Sequence, residues 1–209
     1  MSLSQNPLTG QMHKSMANFV TTVYRGRNVI RAKVFMPRNV NSNAQQLQRA
    51  SFKLMVDMYE SFGGVTEESF PKRLTIYSPF NAFMKANLPA AIDKSGGIPV
   101  IDYSKVIVSS GSLPKVLAKS AAVGATGITV SYATNTKLAK VSESDQVILF
   151  ALTTAGELIM ERQVRGKQPL TDILIPYPGI TAAEVECCYL FAMRADGLNA
   201  SKSTYVEVI

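Results

Sequence analysis

One strand-like stretch near the middle of this chain is apolar on both of its sides. In residues 147–152, Val147, Leu149 and Ala151 alternate with Ile148, Phe150 and Leu152. Successive side chains of a strand point to opposite faces of its sheet, so a strand of this composition is buried on both faces. It sits amid seven candidate strands, at 105–110, 126–133, 145–153, 157–165, 171–177, 184–194 and 203–209. Turn signals such as Ala155-Gly156, Pro178-Gly179 and Asp196-Gly197 separate them, and no helical period intervenes. Seven short strands in about 100 residues is the spacing of an immunoglobulin- or fibronectin-like β-sandwich, with a small barrel as the alternative. A sandwich covers one face of the 147–152 strand. The other must be covered from outside it.

The strongest helix in the sequence can supply that cover. It runs from 44 to 62, with Leu47, Ala50, Leu54, Met58 and Phe62 recurring at three- and four-residue intervals and Phe52, Val56 and Tyr59 widening the stripe. Asn43 is placed to cap its start, and Gly63-Gly64 to close its end. A neighbouring subunit is the alternative cover. A short second helix begins at Thr66 and is limited by Pro71, and Ser78-Pro79 starts a third that Pro89 ends. Residues 99–103 then read as extended. The chain is therefore expected to be α+β, mainly β, in three parts: a basic arm with a β-hairpin at 1–40, a helical segment at 41–104 and the sandwich at 105–209.

Charge distinguishes the arm from the rest. The net charge is +7 with a pI near 9.4, yet no acidic residue precedes Asp57. Lys14, Arg25, Arg27, Arg31, Lys33, Arg38, Arg49 and Lys53 fall in that acid-free stretch, leaving 14 basic against 15 acidic groups for the remaining 153 residues. Such asymmetry marks a segment that meets a polyanion or an acidic protein surface. Phe19, Tyr24 and Phe35 are interleaved with the cations and could stack on nucleobases. However, Val20, Val23, Val29, Ile30, Val34 and Phe35 around Arg25-Gly26-Arg27 also read as two short strands meeting at a glycine turn, and a hairpin docking on a neighbour would use the same residues.

Catalytic patterns are missing from the sequence. His13, the single histidine, is in the arm, and there is no phosphate-binding glycine loop, no His-Glu-x-x-His and no Gly-x-Ser-x-Gly. Glu143 with Asp145, and Glu184 with Glu186, are spaced to share a face of a strand, but strand-entry carboxylates are ordinarily solvated. Cys187 and Cys188 are adjacent, which is poor geometry for a bridge in a strand, and read as small buried apolar residues. No cofactor, metal or small-molecule substrate is expected. No secretory leader or membrane span is read from the sequence, so export by the general pathway is not expected.

Several segments together resemble a known family. The run 10–31, the stretch Asn41-Ser42-Asn43-Ala44-Gln45-Gln46-Leu47-Gln48-Arg49-Ala50-Ser51-Phe52, Ser78-Pro79-Phe80-Asn81, Ile101-Asp102-Tyr103-Ser104-Lys105, and Ala195-Asp196-Gly197 with 201–205 are similar to an uncharacterised family of Bacteroidota proteins, domain of unknown function 6266. That family usually carries Trp-Lys-Gly with flanking glycines where this chain has Tyr24-Arg25-Gly26, and prolines where it has Val40 and Asn43. The resemblance implies no enzyme. An aromatic-basic-glycine arm ahead of an Ala-Gln helix is also a layout found in phage and prophage structural proteins. The expected function is thus a non-enzymatic virion component, capsid- or tail-associated, within a homo- or hetero-oligomeric assembly. A nucleic-acid-binding accessory protein using Lys14, Tyr24, Arg25, Arg27, Arg31, Lys33, Arg38, Arg49 and Lys53 is one alternative, and a β-sandwich adhesion module another.

Overall fold

The computed structural model describes residues 2–4, 14–24, 26–36, 41–71, 78–135, 138 and 140–208, and the chain divides into two compact units, Met1–Ser42 and Asn43–Ile209. In the first unit, strands β1 (Ser2–Ser4), β2 (Lys14–Met16), β3 (Phe19–Tyr24) and β4 (Arg27–Ala32) form one antiparallel sheet in the order β1-β4-β3-β2. β3 and β4 are the hairpin read from the valines, closed where Gly26 adopts φ +72°, a region open to glycine at no steric cost. Val34 and Phe35, which the apolar pattern assigns to the second strand, lie beyond β4 and are exposed, because pairing ends at Ala32.

The second unit begins with three helices, α1 (Asn43–Phe62), α2 (Gly64–Ser69) and α3 (Pro79–Asn87), and a two-stranded hairpin, β5 (Ile92–Asp93) with β6 (Val100–Ile101). Seven strands follow: β7 (Leu117–Gly124), β8 (Gly127–Ala133), β9 (Gln146–Thr153), β10 (Leu158–Val164), β11 (Leu170–Pro176), β12 (Val185–Met193) and β13 (Thr204–Tyr205). They build a three-stranded sheet, β11-β8-β7, and a four-stranded sheet, β10-β9-β12-β13. Compared with the constant-type immunoglobulin division, the fourth strand has joined the sheet of the third and sixth. The chain is mainly β with a smaller helical share, and all of its sheets are antiparallel.

The apolar-on-both-sides strand is β9, and the chain itself covers both faces. On one, Ile148, Phe150 and Leu152 join Cys187, Tyr189, Phe191 and Met193 of β12 against Met55, Met58 and Phe62 of α1 and Phe83 of α3. Phe150 stacks on Tyr189 at 5.4 Å and meets Phe62 edge-on at 5.5 Å, favourable geometry for aromatic rings. On the other, Val147, Leu149 and Ala151 join Cys188, Leu190 and Ala192 against Ile128, Val130, Ile173 and Ile175 of the three-stranded sheet. The two cysteines are free and buried, each in a different core, as alternation along β12 requires.

Four local readings are corrected. Residues 105–110 are not a strand. A 3-10 turn at Tyr103–Lys105 leads into a strap in which buried side chains take up part of the backbone bonding: Asn87 takes the N–H of Ile107 at 2.7 Å and donates to its carbonyl at 2.8 Å, and Ser203 takes the N–H of Val108 at 3.0 Å. The first strand of the three-stranded sheet is instead β7, whose alanines carry weak β-propensity. Asn43 is the first residue of α1 and not its cap. The buried face of α1 centres on Ser51, Met55, Met58 and Phe62, while Ala50 and Phe52 stay exposed; the Ser51 hydroxyl turns back to the Leu47 carbonyl at 2.7 Å, which lets serine face inward.

Candidate functional site

Strand register decides which cations of the arm act together. Tyr24 pairs with Arg27 and Val20 with Arg31, and directly opposed residues share a face, so Tyr24, Arg27 and Arg31 lie on one side of the sheet. The two guanidinium-bearing positions are four residues apart on β4, about 14 Å at about 3.4 Å per residue. Lys14 pairs with Thr21 on the opposite side, where the Thr21 hydroxyl donates to the Lys14 carbonyl at 2.8 Å. Lys33 follows the end of β4; its N–H donates to the Asn18 carbonyl at 2.7 Å and its ammonium lies 5.4 Å from the centre of the Phe35 ring. Lys14, Tyr24, Arg27, Arg31 and Lys33 are all exposed. Arg25 and Arg38, with His13, lie outside the described residues.

Arg49 and Lys53 belong to the second unit. They are exposed, one turn apart on α1, where Asp57 follows at the next turn, so this helix face changes sign along its length. A basic residue in the acid-free stretch is therefore not by itself a member of the arm's surface.

The carboxylate pairs do not act as pairs. Asp145 is fully buried, 3.4 Å from the guanidinium of a fully buried Arg165, and takes the N–H of Ser142 at 2.9 Å, while Glu143 reaches Lys167 at the surface at 3.4 Å. The strand entry at Asp145 is thus a sealed site and not a solvated one. Burial lowers the pKa of Arg165, and burial raises that of Tyr132, whose hydroxyl is buried with no protein partner, as are Nε and Nη2 of Arg165. Glu184 takes the N–H and hydroxyl of Thr181 at 2.8 and 3.0 Å, and that backbone bond holds its carboxyl below the usual range. Glu186 instead accepts from the Tyr103 hydroxyl.

Burial pushes the Cys187 thiol up to about 12 and raises Cys188 further, the reverse of what a thiolate nucleophile requires. Among the described residues no group of three His, Cys, Asp or Glu is placed to hold a metal ion, and no helix is long and apolar enough to cross a membrane.

A groove of about 490 Å³ lies between the first turns of α1 and the tip of the β5–β6 hairpin, lined by Asn43, Gln46, Leu47, Ala50, Ile98 and Pro99. Gly97, at φ +75°, turns the hairpin so that Ile98 is 75% exposed. Beside the groove, at the surface, the Lys94 ammonium donates to Gln48 Oε1 of α1 at 2.9 Å. Sequence reasoning did not find this groove or the Asp145–Arg165 pair. An isoleucine set between two turn-forming residues, Gly97 and Pro99, is the sequence signal for the first.

A family model described as a family of unknown function (DUF6266) matches residues 11–207. No curated protein and no solved structure matches the chain.

Proposed function

The chain belongs to that family of unknown function, and from this premise we propose a non-enzymatic assembly protein in which the second unit is a rigid block and the first unit is the element that docks on neighbouring subunits. The charge partition carries the reading: every positive charge of the first unit stands without an acidic residue in its own sequence neighbourhood, and Lys14, Arg27, Arg31 and Lys33 are exposed. A surface like this is repelled by its own copies unless it meets negative groups elsewhere. The second unit, with its three- and four-stranded sheets and two buried cores, supplies the shape and stiffness that such a block needs. A capsid- or tail-associated particle, phage or prophage in origin, is the form of assembly that this layout fits.

Light scattering across concentration and salt tests the reading. The wild-type chain should associate, association should weaken as salt screens the arm, and Arg27→Glu with Arg31→Glu should reduce it at least tenfold. A strict monomer at all concentrations contradicts the proposal. The second reading, a nucleic-acid-binding accessory protein, draws on Tyr24 beside Arg27 on one face, an aromatic platform next to a phosphate-sized charge. It predicts that single-stranded DNA binds with a steep salt dependence and that Tyr24→Ala weakens it.

A further inference from the structure

We infer that Tyr132, Asp145 and Arg165 form a closed binding site for one water molecule, which joins the three-stranded sheet to the four-stranded one where their shared apolar core ends. The inference is independent of the assembly reading. Tyr132 reaches into that core from β8, Asp145 directly precedes β9, and Arg165 directly follows β10. All three side chains are fully buried. β9 and β10 pair as far as Gln146 and Val164, and the Arg165 N–H then donates to the Asp145 carbonyl at 2.8 Å, which brings the two charged residues together at one end of the ladder. Their side-chain contact is nevertheless incomplete. Nη1 of Arg165 lies 3.4 Å from Asp145 Oδ2, long for a charge-assisted bond, and Oδ2 also takes the Ser142 N–H at 2.9 Å.

Four buried polar atoms are left over: Nε and Nη2, which form the parallel donor edge of the guanidinium, Asp145 Oδ1, and Tyr132 Oη. Among the described residues none of them has a hydrogen-bond partner, although buried polar atoms almost always have one. The Arg165 charge is close enough to oppose the rise that burial gives the Tyr132 pKa, so the hydroxyl belongs to the same cluster. Charge balance then selects the ligand. Asp145 and Arg165 cancel each other, so an anion on the free donor edge would be an uncompensated buried charge beside a carboxylate, and a cation at Oδ1 would face the guanidinium. A neutral molecule that both accepts and donates serves both ends at once. Its oxygen accepts from Nε or Nη2, and its hydrogens go to Oδ1 and to Tyr132 Oη. Water is the smallest such molecule, and about three partners is its usual number in a protein interior. Held in this way, the pair becomes one polar network spanning two sheets.

A crystal structure of the full chain should show one water oxygen within about 3.2 Å of Asp145 Oδ1 and of Arg165 Nε or Nη2. A donor edge closed by a protein group, with no density between it and Oδ1, overturns the inference. A second crystal soaked in sodium bromide should give no anomalous peak at the site. Bromide bound on Nε and Nη2 would make it an anion site and overturn the assignment to a neutral molecule. In solution the sign of one substitution decides. Tyr132→Phe should lower the thermal midpoint by about 2–4 °C, because it removes a bond to the water and keeps the ring in the core. A midpoint that stays the same or rises marks a hydroxyl that had no partner, and the inference fails. None of these readouts depends on whether the chain associates.

Discussion

The β9–β12 pair and the β3–β4 hairpin are both short antiparallel pairings, yet they place their side chains in opposite circumstances. From Val147 to Leu152 and from Cys187 to Leu190, Phe191 and Ala192, the central pair is buried on both faces. Along the hairpin, Phe19, Thr22, Tyr24, Arg27, Arg31 and Ala32 are exposed, and burial is confined to Thr21, Asn28 and Val29. The contrast shows that two kinds of information are written into one chain. Apolar patterning in the second unit specifies its own fold, because its partners lie within the chain. Charge in the first unit has no acidic counterpart within that unit's sequence, and on the proposed assembly reading it answers to negative groups elsewhere.

The sharpest way to break that contrast is truncation. Phe150→Ala removes a ring in contact with Phe62, Tyr189 and Phe191, and should destabilise the second unit by about 3–5 kcal/mol in denaturant unfolding. Phe35→Ala, at 66% exposure, should change stability by less than about 0.5 kcal/mol. Equal effects would erase the distinction. Arg165→Ala should cost a similar amount, about 3–5 kcal/mol, because it strands a buried Asp145, whereas Arg27→Ala should be nearly silent in the same assay.

Smaller but more diagnostic is the alkaline limb. Burial raises the pKa of Tyr103, Tyr132 and Tyr189 as well as both thiols. A group whose folded pKa lies above its unfolded value adds stability that is complete below the unfolded pKa and is lost as pH rises through the folded one. For tyrosine that loss starts near pH ~10 and for the thiols near ~8.5. Unfolding midpoints followed by circular dichroism should therefore fall progressively above pH ~9, and Tyr189→Phe should flatten the fall. The smallest effect concerns the thiols themselves. Cys187 and Cys188 should resist a thiol reagent in the native chain and react together on global unfolding, so their labelling rate reports the second unit alone.

How far the sequence revealed this depends on where each residue's partners are. β9 was legible because its partners are the layers that its own alternation demands, and the helix that covers it announces itself by period. β7 was not, since alanine, serine and glycine carry no alternation of size. The strap at 105–110 was misread because its backbone bonds go to Asn87 and Ser203, 20 and 95 residues away from the atoms they satisfy, and no local pattern encodes such a pairing. Arg165 reads as an ordinary charge at a strand end; only the fold seals it with Asp145. In the arm, the cations were visible but their grouping was not, because Tyr24, Arg27 and Arg31 become neighbours through register and Lys14 is turned to the other side by the same rule.

Hydrogen exchange by mass spectrometry on the full-length chain, compared between dilute and concentrated solution, tests the division most directly. Amides of 14–36 should gain protection on concentration, while those of β9 and β12, buried on both faces, should stay unchanged. Protection gained within the second unit's strands with residues 14–36 unaltered would contradict it.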